Sequence, residues 1–174
     1  FAIRRQRQMC IRDSYIKCKW TLFHYYFYRS ETEKAKALAN WLLEYSLKTK
    51  NINLELAIRG LYGQLLVVEG NTTESNEILN PIIGNYTTEI GNSIIIEYGV
   101  DPMFLATSFL ALIHLNLGNI DTSIQFYEDA ITHTKKTSNT SLITQIYLQT
   151  MGAHSFLKER EKAKFYLNES KSDR

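Results

Sequence analysis

Residues 110–123, LALIHLNLGNIDTS, indicate the fold class of this 174-residue chain. They place apolar residues at helical spacing, then the polar turn Gly118-Asn119, and then a new helix with Ser123 near its start. Residues 62–75, YGQLLVVEGNTTES, repeat the arrangement around Gly70-Asn71. A helix, a tight turn and a second helix that recur along a chain are typical of helical-repeat proteins.

Small residues recur early in each predicted second helix and set a register for the repeats. They are Ala35, Ser75, Ser123 and Ala163, separated by steps of 40, 48 and 40 residues. A small residue suits this place because the two helices of a hairpin cross closely there. We therefore predict an all-α, tetratricopeptide-like superhelix of about four helix–turn–helix repeats.

This register divides a single domain, residues 1–174, into repeats and one insertion. The repeats are predicted over residues 12–50, 51–86, 101–137 and 140–170, with an inserted connector over 87–100 and the tail of an upstream repeat over 1–11. Gly91 and Gly99 break the helical periodicity of the connector, which we expect to be a loop or a short strand. Pro81 is expected to stop or kink its helix near Leu79–Asn80, because proline removes an amide donor. Ser30-Glu31-Thr32-Glu33 predicts a capping box at a helix start.

Composition and charge exclude several classes of protein. Apolar residues make up 44% and charged residues 22%, which argues against disorder, and the net charge is only +2. Six Lys or Arg against Asp13 alone give the first twenty residues a charge of +5, confined to one end, so nucleic-acid binding is not expected. No apolar run reaches the roughly 18 residues of a membrane span. Cys10 and Cys18 form no disulfide framework, and we expect a cytoplasmic protein.

The sequence offers no motif for catalysis, for a cofactor or for a metal. No glycine is followed by lysine, so a phosphate-binding loop is absent. His114 and His154 stand 40 residues apart, at equivalent places in two repeats, where packing is a better interpretation than metal ligation. We therefore predict that the chain is not an enzyme.

Several strings extend this pattern to a family resemblance. They are Trp20–His24, Ala35–Leu43, Arg59–Gln64, Tyr98–Pro102, Leu110–Leu112 and Leu117-Gly118. From about residue 10 to 170 the chain resembles the tetratricopeptide region of large signal-transduction ATPases that are fused to nucleotide-cyclase or kinase domains. The resemblance implies a non-catalytic scaffold or regulatory arm, with a protein, a peptide or other domains of the same chain as partners. The alternative is a peptide-pheromone receptor domain of a transcriptional regulator.

The first helix of each repeat is expected to line the concave side of the stack. The predicted groove residues are Lys17, Trp20, His24, Phe27 and Tyr28 in repeat one, Gln64 and Val67 in repeat two, Ser108, Leu112 and Asn116 in repeat three, and Gln145 and Leu148 in repeat four. Aromatic side chains often anchor protein partners. The register predicts a partly exposed Trp20 in this groove and a Trp41 packed between repeats, although the aromatic cluster at Trp20–Tyr28 could instead belong to the core.

Overall fold

The computed structural model describes the backbone of residues 2–137 and 139–172 and the side chains of residues 14–137 and 139–171. Within these residues the chain forms nine helices and no strand. The helices are α1 (Ala2–Tyr28), α2 (Thr32–Thr49), α3 (Ile52–Val68), α4 (Thr72–Asn85), α5 (Thr88–Tyr98), α6 (Pro102–Asn116), α7 (Ile120–Thr137), α8 (Thr140–Phe156) and α9 (Arg160–Ser172). The predicted all-α helical-repeat architecture is therefore confirmed.

One turn conformation joins the two helices of all four hairpins. Its left-handed residue has a φ of 57° at Ser30, 81° at Gly70, 78° at Gly118 and 62° at Lys158. The next residue donates its amide to the carbonyl five positions earlier, as from Asn71 to Leu66 and from Asn119 to His114, both at 2.9 Å. This is the hydrogen bond that satisfies the end of a helix before a left-handed residue. The left-handed residues follow the predicted 40-48-40 register.

The predicted capping box at Ser30 is wrong. Ser30 is the left-handed turn residue, and Glu31 is the N-cap of α2 with no side-chain capping hydrogen bond. A capping serine needs extended backbone angles, which the shared hairpin turn does not allow at this position.

The two helices of a hairpin cross closely at the small residues. The Ser75 hydroxyl donates to the Gly63 carbonyl at 2.8 Å, and the Ser123 hydroxyl donates to the Ala111 carbonyl at 2.7 Å. A Cβ atom on Gly63 would collide with the Leu79 side chain. Ala35 and Ala163, at the same place in the other hairpins, are also buried. The close crossing was thus predicted correctly.

The hairpins stack so that α5 lies beside the array. Helix α6 packs against both α3 and α4, whereas α5 packs mainly against α3. One core cluster joins α1 to α6 and a second joins α6 to α9, with Leu105 and Phe126 in contact with both. Repeat three therefore rests directly on repeat two, although eight more residues separate their registers.

The structure corrects two local predictions. The connector is the helix α5, not a loop or strand, because Ile94 and Tyr98 find buried places against the array. Helix α4 continues past Pro81 to Asn85, since Leu79 and Ile82 on either side are fully buried in the core. The backbone of residues 2–11 is continuous with the rest of α1.

No single described helix is long and apolar enough to cross a membrane. Helices α5 and α6 meet that criterion only when they are taken together, and a bend of 99° separates them.

The shared turn predicts that Ser30→Gly and Lys158→Gly each raise the free energy of unfolding by about 0.5–1 kcal/mol, because glycine has no Cβ penalty at positive φ. Gly70→Ala, at the equivalent place, should lower it by about 1 kcal/mol. Urea unfolding of the three variants checks this. A loss of stability in both glycine variants would contradict the assignment of one common turn.

Candidate functional site

Trp20 is not partly exposed, and that prediction is wrong. Its side chain is only 8% exposed, and its ring centroid lies 5.0 Å from that of Tyr98 on α5. Tyr98 of the inserted helix therefore covers Trp20, one of the α1 residues that the register assigns to the groove. A side chain buried in this way contributes to the core rather than to a free binding surface.

Trp41 is less buried than Trp20, although it packs against the core cluster. It is half-buried, its ring stacks on Tyr45 at 5.4 Å, and Tyr15 meets it edge-on at 5.5 Å. The Lys19 ammonium group lies 5.4 Å from the ring centroid. These ring and cation contacts all belong to α1 and α2.

Helix α5 is held at both of its ends and along its length. The side-chain amide of Asn53 on α3 donates to the Ser93 hydroxyl at 2.9 Å. The Tyr86 ring packs against Gly91, where a Cβ atom would collide with it. Asp101, after the helix, accepts the Phe104 amide at 3.1 Å. The second Asp101 oxygen lies 2.8 Å from Nε2 of His133 on α7. Helix α5 is therefore a fixed wall of the concave side.

Tyr86 belongs to the same joint. Its ring centroid lies 5.4 Å from that of His133. Burial, with a further contribution from the Asp101 carboxylate, raises the pKa of Tyr86 to about 12. Tyr86 is therefore a neutral packing residue at neutral pH.

A first cavity of about 330 Å³ brings together four of the predicted groove residues. They are His24 and Tyr28 from α1, Gln64 from α3 and Gln145 from α8. Residues 98–101, between α5 and α6, close its other side together with Leu61, Ile95, Phe104, Leu105, Asn139 and Leu142. The first helices of all four repeats and the insertion thus converge on one space.

This first cavity is uncharged at neutral pH apart from the engaged Asp101. His24 lies between the Trp20 ring at 5.2 Å and the Tyr28 ring, on which it stacks at 6.1 Å. Burial lowers the pKa of His24 below its ordinary value of 6.5. The Asp101 side chain is 1% exposed and already has the two partners described above. The polar groups left to a ligand are amides and a phenol.

A second cavity of about 320 Å³ lies between α6, α7 and α8 and contains the three residues predicted for repeat three. Those are Ser108, Leu112 and Asn116, and its other lining residues are Phe109, Leu115, Tyr127, Gln149, Gly152, Ala153 and Phe156. Burial raises the pKa of Tyr127 to about 12. The space is mostly apolar.

The two cavities lie along one helix. A shallow surface of α8, formed by Ser141, Thr144, Gln145, Leu148 and Gln149, connects them. Gln145 also lines the first cavity and Gln149 the second. We call this continuous surface, from Asn139 to Phe156 with the two cavities, the α8 channel.

Four predicted residues do not line the α8 channel, and one of them is the buried Trp20. Phe27 and Val67 pack against the core cluster, and Phe27 stacks on Phe23 at 5.9 Å. Lys17 is exposed on α1, outside both cavities.

The structure adds residues that the sequence reasoning missed. Gln149 and Gly152 follow Gln145 at helical spacing, so counting one and two turns further would have found them. The residues of α5 and of the α5–α6 junction carried no such signal, because their place depends on packing against α1 and α3.

The histidine pair of repeats three and four has a packing environment. The His114 ring stacks on Phe126 at 5.5 Å and the His154 ring on Tyr166 at 5.3 Å. His154 Nδ1 also lies 2.6 Å from a Glu159 carboxylate oxygen. Over residues 14–137 and 139–171, no group of three or more His, Cys, Asp or Glu side chains is arranged to hold a metal ion.

No protein-family model, curated protein or solved structure matches this chain. A function must therefore be argued from the geometry and chemistry of the α8 channel.

Burial predicts that Trp20→Ala lowers the free energy of unfolding by about 3–5 kcal/mol, because it empties a packed aromatic site. Trp41→Ala should lower it by only about 1–2 kcal/mol, the scale of its ring and cation contacts. Urea unfolding compares the two variants directly. Equal losses would contradict the covering of Trp20 by α5.

The His24 environment predicts a pH effect on stability. Because its pKa is lower in the folded chain, the unfolded chain takes up a proton first as the pH falls below about 6.5, and stability falls with it. Wild type should therefore lose more unfolding free energy than His24→Phe between about pH 7.5 and about pH 5. Urea unfolding at both pH values measures this, with His24→Gln as a second neutral variant. Identical losses in all three proteins would exclude His24 as the cause.

Proposed function

We propose that this chain is a non-catalytic repeat domain that binds an extended peptide, or an extended segment of a protein, in the α8 channel. The observation that carries the proposal is one continuous concave surface whose polar groups, apart from the already paired Asp101, are uncharged. Amide and aromatic side chains line its first cavity, and apolar side chains line its second. Such a surface matches the alternation of neutral peptide groups and side chains along a polypeptide.

The amide side chains supply the polar complement. Gln64, Gln145 and Gln149 each carry both donor and acceptor atoms, as a peptide group does. Within the described part of the chain, no hydrogen bond to another residue engages these three side chains. They are therefore available to pair with the backbone of a bound strand.

The length of the channel sets the length of the ligand. Helix α8 has 17 residues, which corresponds to roughly 25 Å at about 1.5 Å per residue. An extended chain covers that distance in about seven or eight residues. The fitting partner is thus a short linear segment with few charges.

The wider context follows from the family resemblance. A chain that resembles the tetratricopeptide region of large signal-transduction ATPases would act as a regulatory arm in the cytoplasm, and it would bind other proteins or other domains of its own chain. The peptide-pheromone receptor domain remains the second candidate, because a channel for about seven residues also suits a free signalling peptide. Binding of a peptide with free termini, lost when the same sequence lies inside a protein loop, distinguishes the second candidate from the first.

Panning a random-heptapeptide display library against the whole chain should enrich peptides that bind in the channel. Gln145→Ala combined with Gln149→Ala should weaken the best peptide by about 2 kcal/mol, roughly thirtyfold in Kd, through lost hydrogen bonds. Isothermal titration calorimetry measures the change.

Gln125→Ala is the matched control, because Gln125 is exposed on α7, outside the channel. Enrichment of no peptide, or equal affinity for the double variant and the control, would refute the proposed function.

A further inference from the structure

We infer that the second cavity is an anchor pocket for one large apolar side chain, aromatic by preference, of the bound peptide. This inference rests on the proposed function and names the chemistry of its ligand. The cavity lies beside a glycine at a helical position where packing does not require one.

Gly152 lies inside α8, where glycine is much less favourable for a helix than alanine. Close packing does not require it, because a Cβ atom at this position would have no neighbour within 4 Å. Gly63 in α3 is different, since a Cβ atom there would collide with Leu79. The missing side chain at Gly152 leaves space open.

The repeat register shows which side chain is missing. His24, Gln64 and Leu112 occupy the place of Gly152 in the other three repeats, at the same steps of 40, 48 and 40 residues. Each of these three side chains lines one of the two cavities. Repeat four alone leaves the position empty, and the second cavity lies there.

The walls of this cavity fit an apolar group of considerable size. Phe109, Leu112, Leu115 and Phe156 supply apolar surface, and no Lys, Arg, Asp or Glu is among the lining residues. A cavity of about 150 Å³ with similar walls accommodates a benzene ring, so about 320 Å³ has room for a phenyl or indole group. An anchor with a charged end would lose its hydration here without a partner.

The position of the pocket in the channel favours a peptide over a free apolar molecule. Gln149 lines both the cavity and the surface that leads to Gln145. A side chain seated in the cavity therefore places its own peptide groups beside these two amides. Phe156, 74% exposed at the rim, offers the ring contact that an entering aromatic group would cover.

Filling the pocket tests the inference. Gly152→Leu should occupy the cavity, while Gly84→Leu is the matched control, because Gly84 is also helical, exposed and without neighbours within 4 Å of a Cβ atom. Both changes replace a helical glycine, so both proteins should remain folded. The probes are N-acetyl-tryptophan amide, N-acetyl-glycine amide and free indole. Changes in the NMR shifts of the protein's backbone amides measure the binding of each probe.

The blocked tryptophan should change the amide shifts of residues in α6 and α8, whereas the blocked glycine should not. Gly152→Leu should weaken the affinity for the blocked tryptophan by about thirtyfold or more, and Gly84→Leu should leave that affinity unchanged. Heptapeptides from the library should share one large apolar residue. The inference is overturned if library peptides bind Gly152→Leu as tightly as wild type, or if free indole binds as well as the blocked tryptophan. Either result leaves the peptide function standing, whereas failure to enrich any peptide counts against that function itself.

Discussion

The close approach of the two helices in each hairpin is the contact on which the array depends. Ser75 and Ser123 donate to carbonyls of the preceding helix, a geometry open only to small residues at both sides of the crossing. Because the crossing fixes the rotation of each first helix about its axis, it also fixes which side chains face inward. His24, Gln64, Leu112 and Gly152 then form one row on the concave side.

Helix α5 changes what that concave side can do. Repeat three packs on repeat two as though the insertion were absent, so the additional residues fold as a helix against α3. There Tyr98 covers Trp20, and the buried Asp101 joins the end of the insertion to His133. The aromatic residues of repeat one thus belong partly to the core, and the accessible surface shifts toward α8.

The α8 channel changes character along its length, from amide and aromatic groups at its first cavity to apolar walls at its second. Recognition in such a channel depends on shape, hydrogen bonding and the burial of a side chain rather than on charge. A rigid stack of helices suits the proposed task, because the proposed binding residues come from helices whose relative positions the core already fixes.

The sequence by itself determined the hairpins. Gly70 and Gly118 form the turns through neighbours only a few residues away, and the small residues at the crossings act within one helix pair. Periodicity also placed His24, Gln64, Leu112 and Gln145 on the inner side. Only the tertiary structure decided that residues 88–98 form a helix, that Trp20 is buried beneath it, and that the emptied place of Gly152 opens a cavity. These outcomes depend on surfaces that meet only after the repeats have stacked, such as Trp20 and Tyr98, and no local pattern encodes such a contact.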